Sequence, residues 1–158
     1  MATATHIPTK LMKAQGALTA NQNVALGTYV FKIMMVKAGS GIPLTSSAGI
    51  QFVADVTATN AEDTAIGARQ SLAGVTWAFD ASLGVVDWSF TNITYAQNAG
   101  DDGLSRYGVI YDETQSAGTD ATRPVVAILD LGQTVSVVNG ALVLQCPTGG
   151  LIQFTGGG

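Results

Sequence analysis

Two apolar segments separated by a polar loop constrain this chain more than any other feature. Arg106–Glu113 reads RYGVIYDE and Arg123–Gly132 reads RPVVAILDLG, and both run into acidic residues. The loop between them, TQSAGTDAT, is rich in Thr, Ala and Gly and holds no group suited to catalysis. Short, β-branched apolar runs bounded by turn residues predict strands, and two such runs in succession predict an antiparallel hairpin. Strands this apolar belong in the middle of a β core.

The flanking text extends the pattern. Thr28–Lys37 (TYVFKIMMVK) places Tyr29, Phe31, Ile33 and Met35 on one face and Val30, Met34 and Val36 on the other, which predicts a strand buried on both sides with Lys32 at an edge. Short strands are predicted over Ile50–Thr57 and Thr64–Ala73. Val75–Asp80 and Val85–Phe90 flank Ala81-Ser82-Leu83-Gly84 and read as a hairpin whose Trp77, Phe79, Trp88 and Phe90 pack as one aromatic cluster. An exposed aromatic strip for sugar binding is the functional alternative. Thr91–Tyr95 continues extended, Gln97–Leu104 is a loop, and Ala141–Cys146 and Leu151–Phe154 supply the last strands. Strands at roughly ten-residue spacing with Gly, Asn and Asp turns predict a mainly β chain, an antiparallel β-sandwich or small barrel.

One helix is expected, over Ile7–Ala20 near the N-terminus. Ile7, Leu11, Ala14 and Leu18 recur on one helical face, Pro8 suits the first turn, and Gly16 weakens the interior. So short a helix needs something to dock on. The division expected is an arm over residues 1–24, a single β domain over 25–155 and a tail at 156–158. Charge divides similarly: residues 1–37 carry +4 and the remainder −8, giving the net −4. Ile7, Lys10, Leu11, Lys13 and Leu18 are therefore the candidate assembly contacts, either on a neighbouring subunit or, equally, on the chain's own sheet. Four lysines over this stretch are too dilute for a nucleic-acid arm.

Chemistry is sparse. The sole histidine, His6, lies in the arm, which argues against a histidine-based triad in the β domain. Cys146 sits in an apolar run and reads as a small buried hydrophobe. The carboxylate pairs Glu62-Asp63, Asp101-Asp102 and Asp112-Glu113 read as turn formers. Gly100-Asp101-Asp102-Gly103 has calcium-binding donors without the spacing of an EF-hand loop. No catalytic, cofactor or metal residue is assigned, and a carboxylate-based hydrolase is the weakest reading. Charged residues make up 11% of the chain, less than half the ~25% usual for a globular domain. No apolar run approaches the ~18 residues of a membrane span, and the N-terminal text MATATHIPTK lacks the organisation of a secretory signal. A neutral exterior fits a Thr/Ser/Gly-rich β protein or one covered by neighbours in an assembly.

Several of these segments resemble a family of small β-structured virion proteins of tailed bacteriophages. Val109-Ile110-Tyr111-Asp112-Glu113-Thr114 is similar to that family's strand ending in an IYDDT-like turn. Arg123-Pro124-Val125-Val126-Ala127-Ile128-Leu129-Asp130-Leu131-Gly132 is similar to its KPLIAYIDFG-like strand, and Gly67–Gly74 (GARQSLAG) to its GYARQTLTG-like strand. Thr9–Ala14, Asn139–Leu144 and Gly150–Phe154 echo it more loosely. The resemblance implies no enzyme but a structural role: a capsid decoration (cement) protein, homo-oligomeric and by preference trimeric, bridging major capsid proteins on the virion surface. A neck, tail or baseplate component and a host-surface glycan-binding module are the alternatives. No cofactor, nucleic acid or membrane partner is expected.

Overall fold

The computed structural model describes residues 3–6, 30–39, 50, 52–57, 62–80, 85–114, 118–147 and 152–155, with backbone alone at 3–6, 77–80, 85–86 and 152–155. Among these residues ten strands and one helical turn follow in order: β1 (Thr3–His6), β2 (Phe31–Lys37), α1 (Val53–Thr57), β3 (Gln70–Ser71), β4 (Thr76–Asp80), β5 (Val85–Ser89), β6 (Ile93–Tyr95), β7 (Ser105–Asp112), β8 (Val125–Val135), β9 (Leu142–Leu144) and β10 (Ile152–Thr155). The chain is mainly β. Among the described residues the strands form a five-stranded sheet, β1-β8-β7-β2-β3, a three-stranded sheet, β10-β5-β4, and the pair β6-β9. All pairings are antiparallel and none of the sheets closes into a barrel.

The apolar segments that constrain the sequence are β7 and β8, paired through Val109↔Ile128 and Ile110↔Ala127 and placed inside the largest sheet. β2 flanks β7, with Met34 opposite Val109. Alternation along β2 divides the interior in two, as its sequence predicts. Phe31, Ile33 and Met35 join a core with Trp88, Phe90, Ile93, Tyr95, Ile110, Ala127, Leu129 and Leu144, which draws residues from all three sheets. Met34 and Val36 join a second cluster on the opposite side with Ile50, Val53, Val56, Tyr107, Val109, Tyr111 and Ile128. A strand with an apolar residue at almost every position is stable only where both faces are covered. Gly108 marks how tight this is, since a Cβ there would stand 3.0 Å from Ile33 Cδ1.

The predicted β4–β5 hairpin is present, with Trp77 opposite Trp88. Trp88 is buried and meets Phe31 and Phe90 edge to face, with ring centroids 5.3 and 5.9 Å away. The Trp77 and Phe79 side chains lie outside the described residues, so the aromatic cluster is seen in its Trp88–Phe90 half.

Two strand expectations are corrected. Val53–Thr57, within the strand predicted over Ile50–Thr57, is a turn of α-helix. Local capping outweighs its β-branched composition: Asp55 Oδ2 accepts the Phe52 N–H at 2.8 Å, and the N–H groups of Val53 and Ala54 donate to the carbonyls of Arg123 and Asp120. Of the strand predicted over Thr64–Ala73 only Gln70–Ser71 pairs. Asp63 Oδ1 accepts the Ala65 N–H there, and Gly67 holds φ +146° with the Tyr95 ring 3.1 Å from where its Cβ would be, so the backbone bends away before β3. The helix predicted over Ile7–Ala20 lies outside the described residues. Thr3–His6, inside the expected arm, pairs along β8 with Thr3 opposite Asp130 and Ala4 opposite Leu129.

Candidate functional site

The densest polar constellation in the described residues surrounds Tyr111, near the end of β7. Arg69 donates from Nε and Nη2 to the two oxygens of Glu62, at 2.8 and 2.7 Å, and from Nη1 and Nη2 to those of Asp120, at 2.7 and 2.9 Å. A planar guanidinium meets two carboxylates in this way; an ammonium cannot. Arg123 donates to Asp120 Oδ1 at 2.8 Å and to Glu113 Oε1 at 2.7 Å, and Lys32 stands 3.4 Å from that same Glu113 oxygen. The guanidinium carbons of both arginines lie over the Tyr111 ring, 5.5 and 5.9 Å from its centroid. Three cations thus face three carboxylates.

Each contributor is fixed by local structure. Asp112 Oδ1 accepts the Thr114 N–H at 2.7 Å, turning the chain after β7, and Glu113 N–H donates to the Val30 carbonyl at 2.8 Å. The Asp120 and Arg123 carbonyls hold the first turn of α1. The arginine pairs pull the Asp120 carboxyl down to about 2 against the cost of burial, with Arg69 the largest cause. They raise Arg69 further above its ordinary range. Such a network holds loops in place.

A second cluster lies near the start of β7. Ligand atoms of Asp63, Asp101 and Asp102 come within 4.8 Å of one another, a donor set that suits a hard cation such as calcium. Each carboxylate already has work within the fold. Asp63 accepts the Ser105 Oγ–H at 2.7 Å as well as the Ala65 N–H. Asp101 accepts the N–H groups of Val137, at 2.7 Å, and Gly103. Asp102 accepts the Leu104 N–H and pairs with the Lys37 ammonium, which lowers its pKa. Asp63 and Asp101 are buried and Asp102 is exposed. The turn-forming role read from Gly100–Gly103 is what these bonds express.

The predicted contacts Ile7, Lys10, Leu11, Lys13 and Leu18 lie outside the described residues. The three acidic pairs are placed, and they divide: Glu62 and Glu113 join the arginine network, Asp63 joins Asp101 and Asp102, and Asp112 builds a turn. Cys146 is half-buried against the main core. Burial of Trp88 removes it as a platform for sugar stacking. Sequence reasoning singled out neither the Arg69–Asp120 pair nor the partnership of Asp63 with Asp101, each joining residues distant in sequence. The three segments that carry the phage-like resemblance do meet here: Arg69, Tyr111–Thr114 and Arg123 come from one each. Comparison with protein-family models, curated proteins and solved structures finds no match.

Proposed function

We propose that this chain is a structural protein of a bacteriophage virion, a capsid decoration protein that binds the assembled head and bridges neighbouring capsid subunits. The observation that carries the reading is the convergence of the phage-like segments on one ionic network around Tyr111. The segments that resemble virion proteins are the ones that lock the central hairpin to its loops, which is the use a scaffold makes of its charges. All five described cations, Lys32, Lys37, Arg69, Arg106 and Arg123, are paired to carboxylates of the same chain. That arrangement supports binding through shape and backbone more than through steering by charge. The reading takes the five-stranded sheet and the smaller sheets as the layers of an antiparallel β-sandwich, and the protein as a homo-oligomer on the virion surface.

A protein that binds only the assembled lattice stabilises it by mass action. The test adds purified protein to expanded heads that lack it, then measures head melting and images labelled protein on virions. A raised melting midpoint with label over the whole head is expected. Label confined to the neck or tail, or no binding, removes the decoration reading.

A further inference from the structure

The turn that joins β8 to β9 is pinned up to Val138 and open at the next two residues. The Val137 N–H donates to Asp101 Oδ2 at 2.7 Å, and the Val137 carbonyl accepts the Asn98 N–H at 3.0 Å. The Val138 N–H donates to Ser136 Oγ at 3.2 Å, and the Val138 carbonyl accepts from Gln97 Nε2 at 2.9 Å. Asn139 and Gly140 follow at the tip. Asn139 is exposed, and among the described residues neither its carboxamide nor the Gly140 N–H has a hydrogen-bond partner. The glycine is required neither by conformation nor by space. Gly140 lies outside the left-handed region, and a Cβ built on it meets nothing within 4 Å. Every other described glycine holds a positive φ or has a neighbour inside that distance.

We propose that Asn139–Gly140 is a self-modification site, at which the folded chain converts Asn139 to aspartate and isoaspartate through a succinimide. The Gly140 nitrogen gives its proton to hydroxide and bonds to Asn139 Cγ. The bond from Cγ to the carboxamide nitrogen breaks, and ammonia leaves. Water then opens the ring. Addition at Cγ breaks the newly formed bond and gives aspartate. Addition at the Asn139 backbone carbonyl breaks the original peptide bond, carries the chain through Cγ and gives isoaspartate. The attack needs a nitrogen free of hydrogen bonds and an approach unhindered by a side chain, and the tip meets both conditions. Other sites in the fold do not. In Asp102–Gly103 the glycine nitrogen donates to Asp101 Oδ1 at 3.3 Å, and Lys37 and the Leu104 N–H hold Asp102 as a carboxylate, a poor electrophile. The Asn98 side chain accepts the Gly100 N–H and donates to the Ala65 carbonyl. Asn92 precedes Ile93, a β-branched residue paired in β6. The product at the tip is a carboxylate, so the turn gains a negative charge. Val137 and Val138 are held by their own bonds, so the charge is added without releasing the segment. The inference is independent of the virion reading.

Ageing the purified full chain in warm, mildly alkaline buffer tests this. Trypsin does not cut before Pro124, so the peptide from Tyr107 to the C-terminus holds Asn139 as its only asparagine. Asn92 and Asn98 share the preceding peptide and serve as internal controls. Mass spectrometry at successive times scores the replacement of NH by O in each peptide, and fragmentation separates aspartate from isoaspartate. Asn139 should convert to both products about tenfold or more faster than either control, since only its attacking nitrogen has a clear approach. It should also convert at a rate close to that of a synthetic peptide of residues 136–142. Gly140→Ala should slow the conversion by about tenfold or more. The melting midpoint should stay unchanged, because the added Cβ has room. An Asn139 that stays intact in the folded chain while the peptide converts overturns the proposal, because the fold then protects the tip. Conversion as fast in Gly140→Ala as in the parent also overturns it, because the reaction then does not pass through an unhindered glycine nitrogen. If Gly140→Ala lowers the midpoint, the comparison of parent chain with peptide still decides.

Discussion

The two ends of β7 use the same carboxylates in opposite ways. Around Tyr111, Glu62, Glu113 and Asp120 are neutralised by Arg69, Arg123 and Lys32, and the charges balance. Around Ser105, Asp63, Asp101 and Asp102 have Lys37 as their one cationic partner among the described residues. Their remaining bonds come from Ser105 and from backbone N–H groups of Ala65, Gly103, Leu104 and Val137. A guanidinium ties together segments far apart in sequence because it carries several donors in one plane. A backbone N–H fixes only the turn or strand that owns it. The first end is therefore a clasp between loops, and the second is a set of anchors for the 98–105 and 136–138 segments.

The largest effect should come from breaking the clasp. Arg69→Ala leaves Glu62 and Asp120 without their bidentate partner. Removing one member of a buried pair costs about 3–5 kcal/mol. Arg69 is 21% exposed, so about 2–3 kcal/mol is expected after solvent screening. Chemical denaturation should show it as a lower midpoint at constant slope. Arg69→Lys should recover less than half of the loss, because an ammonium cannot hold both carboxylates. Full recovery would reduce the clasp to simple charge balance.

Next comes the anchor end. Asp101→Ala strips the partner from the Val137 N–H, a buried bond, and that unpaired donor should cost about 1–2 kcal/mol. Hydrogen exchange at the Val137 amide should rise together with the loss of stability. Unchanged exchange there would mean that Asp101 does not hold the segment.

A smaller effect is read at the clasp by pH. Because the folded form holds Asp120's proton less tightly than the unfolded chain does, its contribution is complete above the ordinary carboxylate range and drains as pH falls toward about 2. Asp120→Asn should lower stability at neutral pH and flatten the acid limb between roughly pH 4 and pH 2. An acid limb as steep as that of the parent chain would move its cause away from the clasp.

Much of this fold is legible in sequence where one physical signal dominates. The β7–β8 hairpin, the two-faced burial of β2 and the β4–β5 hairpin all follow from apolar periodicity, which sheet pairing enforces residue by residue. The α1 turn was hidden because Val53, Val56 and Thr57 favour a strand. Its caps come from Asp55 and from the carbonyls of Asp120 and Arg123, the latter distant in sequence. The clasp was half visible. Asp112, Glu113 and Thr114 announce a turn, but Arg69 meets Asp120 across 51 positions, a distance over which a single sequence carries no pattern. The anchors are visible only as turn residues, since Gly103 lies two positions from Asp101 while Val137 lies 36 away.

The smallest expected effect is the most discriminating for the anchor end. Lys37→Met removes the cation from a cluster whose ligand atoms lie within 4.8 Å of one another. An exposed ion pair contributes little, because water screens both partners whether or not they meet. The melting midpoint should therefore hardly move at moderate ionic strength. If Asp63 and Asp101 serve the backbone, their oxygens stay committed to Ser105, Ala65, Gly103 and Val137 when the ammonium is gone. Millimolar calcium should then leave the midpoint of the variant where it was, as it should for the parent chain. A midpoint that rises with calcium in Lys37→Met alone would show that the ammonium occupies a place where a divalent ion can be held, and the contrast between clasp and anchors would have to be redrawn as one between a filled ionic network and an unfilled one.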